Sequence, residues 1–478
     1  MSSLSAPLLT LSVIIPAVFA AGLASRVPVH HARTLTLAGL SATLGVCLLA
    51  LVQVLASGGA RLADRSFGTM FSLNGAWFAV DSLSAVLLVL FPVLALVTVA
   101  AAPQRDGDRR FYALSLIVVS ATLATYAAHN VIVFVVGWTA SVLPFVVGRT
   151  RERWYAVSRY TVLASSLALA VAFVLPSTSL WTLAAFIAAA ILRTGLFPAH
   201  RGIAATLGGG GLLLSALVLN GYQGLYLLAR FVLPLADREA PSLLPWLGGL
   251  ALLSCLWLAV LGLAEKRPEG LLATVIVSQA CALFAGFTTR TAEGVTGALL
   301  QWIVLGVCST VLIAVFRCLQ VRTDGDIRGD SFNGFASATP RFAAMFGVAA
   351  LALAGLPGTL GFSGEDLLMH GALVAHGWFG VVLPVAIALN AWHVYRLFSI
   401  LFMGEARMSS PDLRDALPRE RISLFAALAL LVWLGFVPSQ AVQWRAPAVR
   451  IILGSPLLAA PPVAPLLPAP LVAPSHAP

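Results

Sequence analysis

An all-α integral membrane protein is the fold class this sequence predicts, and three observations predict it. First, 59% of the 478 residues are hydrophobic and only 10% are charged, with a mean hydropathy of +0.94. Soluble globular domains fall well short of that balance. Second, the apolar residues are gathered into about fourteen runs, each near the 20 or so residues that a bilayer-crossing helix needs. Third, the polar stretches 26–33, 102–110, 149–159, 265–269, 317–341 and 404–421, with Arg201 and Arg396, hold most of the 29 basic residues. They alternate with stretches poor in Lys and Arg, which is the positive-inside bias. The net charge of +10 is thereby explained by topology and implies no nucleic-acid partner. An even number of spans, with the basic loops inside, puts both termini on the outer side of a cell inner (plasma) membrane.

The elements follow in order. The run 5–25 lacks a basic n-region and a small-residue cleavage site, so it reads as a retained span and not a signal peptide. Next come 34–57, a loop at 57–76 long enough for a hairpin, and 77–101, which closes an N-terminal unit of three helices over 1–110. Spans at 111–128, 130–148, 154–175, 179–198 and 211–235 make a first repeat, 111–237. Spans at 243–264, 271–288, 294–318, 342–361 and 377–403 make a second, 243–403. Each repeat holds one interrupted helix, around Gly195-Leu196-Phe197-Pro198 and Gly355-Leu356-Pro357-Gly358. Paired interruptions of this kind predict two inverted five-helix repeats. The glycine run 208–211 reads as loop flexibility and not as a phosphate cradle, since no Lys, Ser or Thr context follows it. A last span at 421–437 completes 404–437. The remainder, 438–478, is expected to be a Pro/Ala-rich, disordered tail; it starts amphipathic and ends in LLAAPPVAPLLPAPLVAPSHAP, where proline is too dense for a helix to continue, so 455–478 reads as extended.

The chemistry concentrates at GLPGTLGFSGEDLLMH, residues 355–370. A charged side chain at the bilayer centre costs about 2.5–3.5 kcal/mol on insertion scales, so it is kept for a purpose. Irregular backbone at that depth survives only against protein or a water-filled cavity. Glu365 beside a broken helix is therefore a candidate proton carrier. Its bland alternative is helix capping, with Ser363 and Asp366 forming a capping box on the restarted helix. Asp366 and His370 are four apart on one helical face and could pair. Arg193, just before the other break, is either a structural cation for freed carbonyls or the electrostatic partner of a proton path. His200 is a candidate mouth for proton uptake or a simple interfacial histidine, and His393 a candidate relay or a packing residue. Asp81 is expected to satisfy helix ends near the outer surface. Five cysteines (47, 255, 281, 308 and 318) lie in apolar runs at no metal-ligand spacing and read as small hydrophobes. No nucleotide loop, iron–sulfur ligand set or haem motif is present. No cofactor and no metal are expected, and any redox chemistry belongs to another subunit.

Six segments carry a resemblance. FSLNGAWFAVDSLSAVLLVL, WYAVSRYTVLASSLAL, RTGLFPAH, EKRPEGLLATVIVSQ, GLPGTLGFSGEDLL and NAWHVYRLFSILFMGEAR occur in that order. They resemble the third, sixth, seventh, tenth, twelfth and pre-fourteenth helix motifs of the antiporter-like membrane subunits of respiratory complex I (L, M and N type), Mrp antiporters and membrane-bound hydrogenases. The twelfth-helix motif is closest to the M type. The resemblance implies fourteen helices, with helices seven and twelve broken, and proton translocation along a midplane row of ionisable groups. This sequence departs from that row. The fifth-helix Glu position reads Thr139, the seventh-helix Lys is Arg193, and the eighth-helix Lys falls at Asn220 or Tyr222. The tenth-helix His is Gln279, the eleventh-helix positions read Gln301, Leu305 and Ser309, and the one lysine of the chain is Lys266 in a polar loop. A buried lysine can trade its proton, whereas arginine holds its own.

The expected function is a proton-conducting membrane subunit of a multisubunit complex, a translocase component with no redox or hydrolytic site of its own. Its partners would be the bilayer, other membrane subunits and a soluble or redox subunit at the cytoplasmic face. Two alternatives stand beside it. One is a membrane subunit energising a two-component inorganic-carbon uptake complex, and the other is a non-conducting scaffold for a redox or metalloprotein partner. Sodium in place of the proton is a further option.

Overall fold

Backbone amides in a bilayer find no water, so an apolar run must close its hydrogen bonds within itself, and helices result. The computed structural model of the chain describes residues 7–24, 29–70, 75–147, 153–177, 179–208, 211–325, 327, 329–405 and 413–454. The expected tail at 455–478 and the centre of the glycine run at 208–211 lie outside the described residues.

Helices α1 (Leu8–Ala24) and α2 (Val29–Ala56) are followed by a two-stranded antiparallel hairpin, β1 (Leu62–Asp64) with β2 (Phe78–Val80). The hairpin expected within 57–76 is thus present, with its second strand displaced into the start of the expected span 77–101. Consequently α3 begins only at Ser82 and runs Ser82–Ala101, N-capped by the Asp81 carboxylate, which accepts from Leu83 N and Ser84 N. Then come α4 (Arg109–Ala127), α5 (Val131–Ala140), α6 (Arg153–Val174) and α7 (Leu180–Thr194). The chain re-enters helix for one turn at His200–Ala204 and continues as α8 (Leu212–Glu239), which is bent at Tyr222, a residue with φ of 38°. Helices α9 (Leu243–Ala264), α10 (Pro268–Thr288) and α11 (Ala292–Arg322) follow. The expected span 342–361 is helical only as α12 (Pro340–Leu353); a further helix, α13 (Leu360–His376), fills the stretch 362–376 that lay between the expected spans, and α14 (Val382–Phe402) begins after a 3-10 turn. Last are α15 (Pro418–Phe436) and the amphipathic α16 (Pro438–Gly454), bent 92° from it, so the first part of the expected tail is helical, its buried side chains packing on the bundle.

Nine of the described helices are long and apolar enough to cross a membrane, with shorter apolar helices among the rest. Helices α10 and α11 are buried on nearly every face and form the centre, while α2 and α6 turn much of their surface outward. Close approach of α11 and α13 depends on glycine. A Cβ at Gly297 would lie 2.4 Å from Leu368 N, and one at Gly371 would lie 2.3 Å from Gly294 Cα. Small residues at a crossing are how membrane helices gain contact when the hydrophobic effect does not drive them together. Ion pairs tie the ends. At the basic rim Arg317 meets Asp106 at 2.6 Å and Arg322 meets Glu420 at 2.7 Å; at the opposite rim Arg230 pairs with Asp81 and Arg290 with Asp237.

Candidate functional site

Helix α7 stops where it does because Gly195 takes a left-handed φ of 91°, its N–H closing on Ile191 O, and Pro198 has no N–H to continue the ladder. Arg193 lies in that last turn. Exposed Trp181 marks the opposite rim, and twelve residues of helix separate the two, about 18 Å at 1.5 Å per residue. That is roughly half of a ~30 Å hydrocarbon core, so Arg193 is near the midplane. Its side chain is only 8% exposed. One terminal nitrogen donates to Ser141 Oγ at 2.6 Å and Gln223 Oε1 at 2.8 Å, and the guanidinium lies 5.3 Å from the Trp138 ring centroid. The Gln223 amide in turn reaches Thr122 and Thr125, each at 3.4 Å. Its described hydrogen-bond partners are neutral. Thr139, the position aligned with the family's fifth-helix acid, faces outward, and Ser141 takes its place against Arg193. Sequence reasoning missed Gln223 as well, because a glutamine in an apolar run gives no signal until the fold sets it opposite a cation.

The second break builds the second centre. Gly355 closes α12 with φ of 73°, and a Cβ there would meet Glu365 Oε2 at 2.2 Å. Glycine therefore makes room for the carboxyl against the broken backbone. Glu365 is buried, accepting from Gln301 Nε2 at 3.4 Å and from the Gln279 side chain. Gln279 is in the middle of α10, which sets Glu365 at mid-membrane too. The expected capping box is not formed. Helix α13 starts three residues before Ser363, and Thr359 stands at the cap position, its hydroxyl donating back to Leu356 O at 2.7 Å.

Between the two centres runs a line of neutral hydrogen-bonding groups. Ser309 donates to Asn220 Oδ1 at 2.8 Å, Asn220 to Thr310 at 2.8 Å, and Tyr222 to Asn220 Oδ1 at 3.3 Å. Both candidate eighth-helix positions thus share one network. An aromatic wall then intervenes: Trp302 lies edge-on to Tyr222 at 6.4 Å and to Phe287 at 6.0 Å. Beyond Gln279 the line resumes. Asn390 donates to Ser278 at 2.9 Å, one helical turn later His393 Nε2 lies 2.6 Å from Ala259 O, and Arg396 holds the carbonyls of Gly262 and Glu265 at the end of α9.

The other sequence candidates are placed differently. His200 is buried at the start of the re-entrant turn, stacked on Phe197 at 5.7 Å, and neither ring nitrogen has a partner among the described residues. Asp366 and His370 share one face of α13, as expected, but that face points out of the bundle and away from Glu365, and no bond between them is formed. The five cysteines are buried and unpaired.

Two broken helices, each with a buried ionisable group near mid-membrane and a polar line between them, define a multi-pass transporter-type membrane subunit. Comparison with known proteins gives the family. Residues 155–389 match the family described as NADH:quinone oxidoreductase/Mrp antiporter, transmembrane. NADH-quinone oxidoreductase subunit 13 of Thermus thermophilus is 28% identical over 405 residues, covering 76% of this chain and 82% of that protein. Subunit M of the Rhodobacter capsulatus enzyme is 25% identical over 438 residues, covering 80% and 84%. Among solved structures, a chain of respiratory complex I from Thermus thermophilus superposes with a TM-score of 0.80 at 24% identity, over 94% of this chain and all of that one. One of the Mrp complex from Dietzia sp. DQ12-45-1b superposes with a TM-score of 0.77 at 19% identity, over 93% and 97%. The likeness to these two structures is one of fold. The chain is thus similar to the antiporter-like membrane subunits of quinone oxidoreductases and Mrp antiporters.

Proposed function

We propose that the chain is a proton-translocating membrane subunit of a multisubunit complex and that Glu365 takes up and releases the transported proton. The observation that carries this reading is the seat of Glu365: a carboxyl near the midplane, at a helix break, whose described donors are two carboxamides. A carboxyl held by neutral amides can gain or lose a proton without breaking an ion pair. Repeats 111–237 and 243–403 each supply one centre. Arg193 acts as a fixed positive charge, since arginine does not relay by giving up its proton. Ser278, Asn390 and His393 form the approach from the basic rim to Glu365, and His200 marks an approach to Arg193. Asp366 and His370 stand outside this path.

In this reading the chain crosses a cell inner membrane fourteen times with both termini outward. A soluble or redox subunit docks on the basic rim, where most of the loop arginines lie. The complex I and Mrp assemblies from which its relatives come support placement in such a complex. The test is proton flux through the intact complex in proteoliposomes. Glu365→Gln should abolish it. An unchanged flux removes Glu365 from the path, and no flux in the wild-type complex favours a scaffold.

A further inference from the structure

Asp366 and His370 are the anomaly the proton path leaves over. Asp366 follows Glu365 directly, so it shares the level of Gln279 at the middle of α10. From Asp366 the helix continues ten residues to His376, about 15 Å, and strongly exposed Trp378 marks the rim just beyond. Asp366 is therefore near the centre of the apolar core, on the outside of the bundle. Neither it nor His370 forms a hydrogen bond or ion pair with a described residue. Phe362 and Val374 continue the same exposed stripe at four-residue spacing, one on each side of the polar pair. The two other ionisable groups placed at this depth, Arg193 and Glu365, are buried. Lipid tails offer a carboxylate no donor, and an ionisable group turned to them is costly.

We propose that this stripe of α13 is the docking face for a transmembrane helix of another subunit, one that presents a lysine or arginine at mid-membrane. Charge complementarity selects the occupant. The carboxylate needs a cation or strong donor, the imidazole one turn away can share it, and Phe362 and Val374 seal the pair on either side with apolar contact. A second copy of this chain across a two-fold axis would set Asp366 against its own equivalent, like charge on like. The inference rests on the chain being one subunit of a membrane complex, and not on its moving protons.

The test uses the whole complex in its native membrane. A photoreactive phenylalanine at position 362 or 374 should crosslink to a different subunit, within about one helical turn of a lysine or arginine in an apolar run. After mild solubilisation, Asp366→Lys should lower recovery of that subunit at least tenfold. The chain's own elution and melting temperature should be unchanged, because the Asp366 side chain holds nothing inside. Reversing the partner's cation to aspartate should restore recovery. Adducts with lipid alone, adducts with a second copy, or full recovery of the partner with Asp366→Lys would each overturn the proposal. Should Asp366→Lys fail to accumulate, the crosslink on the otherwise unaltered chain decides by itself. Glu365→Gln serves as the separating control. It keeps the partner and loses flux if both readings hold, so failure of either one is visible alone.

Discussion

Gly355→Ala is the perturbation that probes the Glu365 seat most directly. The substitution adds one methyl group where φ is 73°, a region that costs an L-residue about 1–2 kcal/mol. It also places that methyl 2.2 Å from Glu365 Oε2 and 3.2 Å from Cδ, where ordinary contact begins at 3.4 Å. The carboxyl must retreat by more than an ångström. Its hydrogen bond from Gln301 is already 3.4 Å long and will not survive the move, a loss of about 0.5–1.5 kcal/mol. The expected fall in stability is about 2–3 kcal/mol.

Nature supplies the control three residues on. Gly358 has φ of 89°, and nothing lies within 4 Å of its would-be Cβ. Gly358→Ala therefore carries the backbone cost of about 1–2 kcal/mol without the collision. Both variants, reconstituted in their complex, are measured for thermal unfolding and for dye-reported proton flux in proteoliposomes. Gly355→Ala should lose at least tenfold in flux, and Gly358→Ala less than twofold. Parallel losses would refute the reasoning, for they would trace the effect to strain at the break and not to the position of the carboxyl.

Three further outcomes are expected. Arg193→Met should leave the melting temperature unchanged or higher, since an apolar side chain in place of a buried ionic group is often neutral or stabilising, while flux falls more than tenfold; a stability loss above about 3 kcal/mol would mark the guanidinium as a structural pillar. Arg445 of α16 is buried and donates to Ser82 O at 3.3 Å, so Arg445→Ala should loosen α16 by about 1–3 kcal/mol and speed tryptic cleavage at exposed Arg450, an effect whose absence would refute the anchor. In the loop between α4 and α5, burial first and then the Arg61 and Arg230 charges hold His129 below the usual imidazole range. The unfolded chain thus binds that proton more readily, so the contribution is full above about pH 6.5 and is lost as pH falls below it. Melting temperatures from pH 7.5 to 5 should decline on the acid side, and His129→Gln should flatten the curve; equal slopes would count against His129.

The fold was legible in this sequence because bilayer physics leaves few options. Runs of the right length, basic residues in alternate loops and two Gly/Pro breaks were enough to place most of the helices within a few residues. The largest slip was α13 (Leu360–His376), left between the expected spans 342–361 and 377–403 because Glu365, Asp366 and three glycines dilute its apolar run; a smaller one, at 77–101, came from three residues that read as the start of a helix but pair as β2, with Asp81 capping the true start. The site was legible in its charged members and not in its neutral ones. Arg193 and Glu365 stand out in an apolar run, whereas Ser141 and Gln223 acquire meaning only from what faces them. Facing direction was the other limit. Glu365 and Asp366 are adjacent, and one helical position turns a side chain by about 100°, enough to put one in the interior and the other outside.

The neutrality of the interior bears on how this chain could couple its two halves. Among the described residues the other buried carboxylates, Asp64, Asp81 and Glu420, lie toward the rims, which leaves Glu365 as the acid of the centre. Asn220, Tyr222, Ser309 and Thr310 donate and accept hydrogen bonds but store no charge at physiological pH. A proton crossing that stretch must travel through water threaded along them, and the Trp302–Phe287 wall is where such a thread is interrupted. On the proposed path, storage is confined to Glu365 and a permanent cation waits at Arg193. Communication between them is then electrostatic and not chemical, felt through a medium of low dielectric in which a charge acts over many ångströms. A partner that alters the wetting of the wall around Trp302 would therefore control both the passage of the proton and how strongly Arg193 senses its arrival. Trp302→Ala follows as the decisive perturbation: opening the wall should raise passive proton leak severalfold in the wild-type background and leave it unchanged when combined with Glu365→Gln. A leak that persists in the double variant would place the barrier, and with it the path, elsewhere in the bundle.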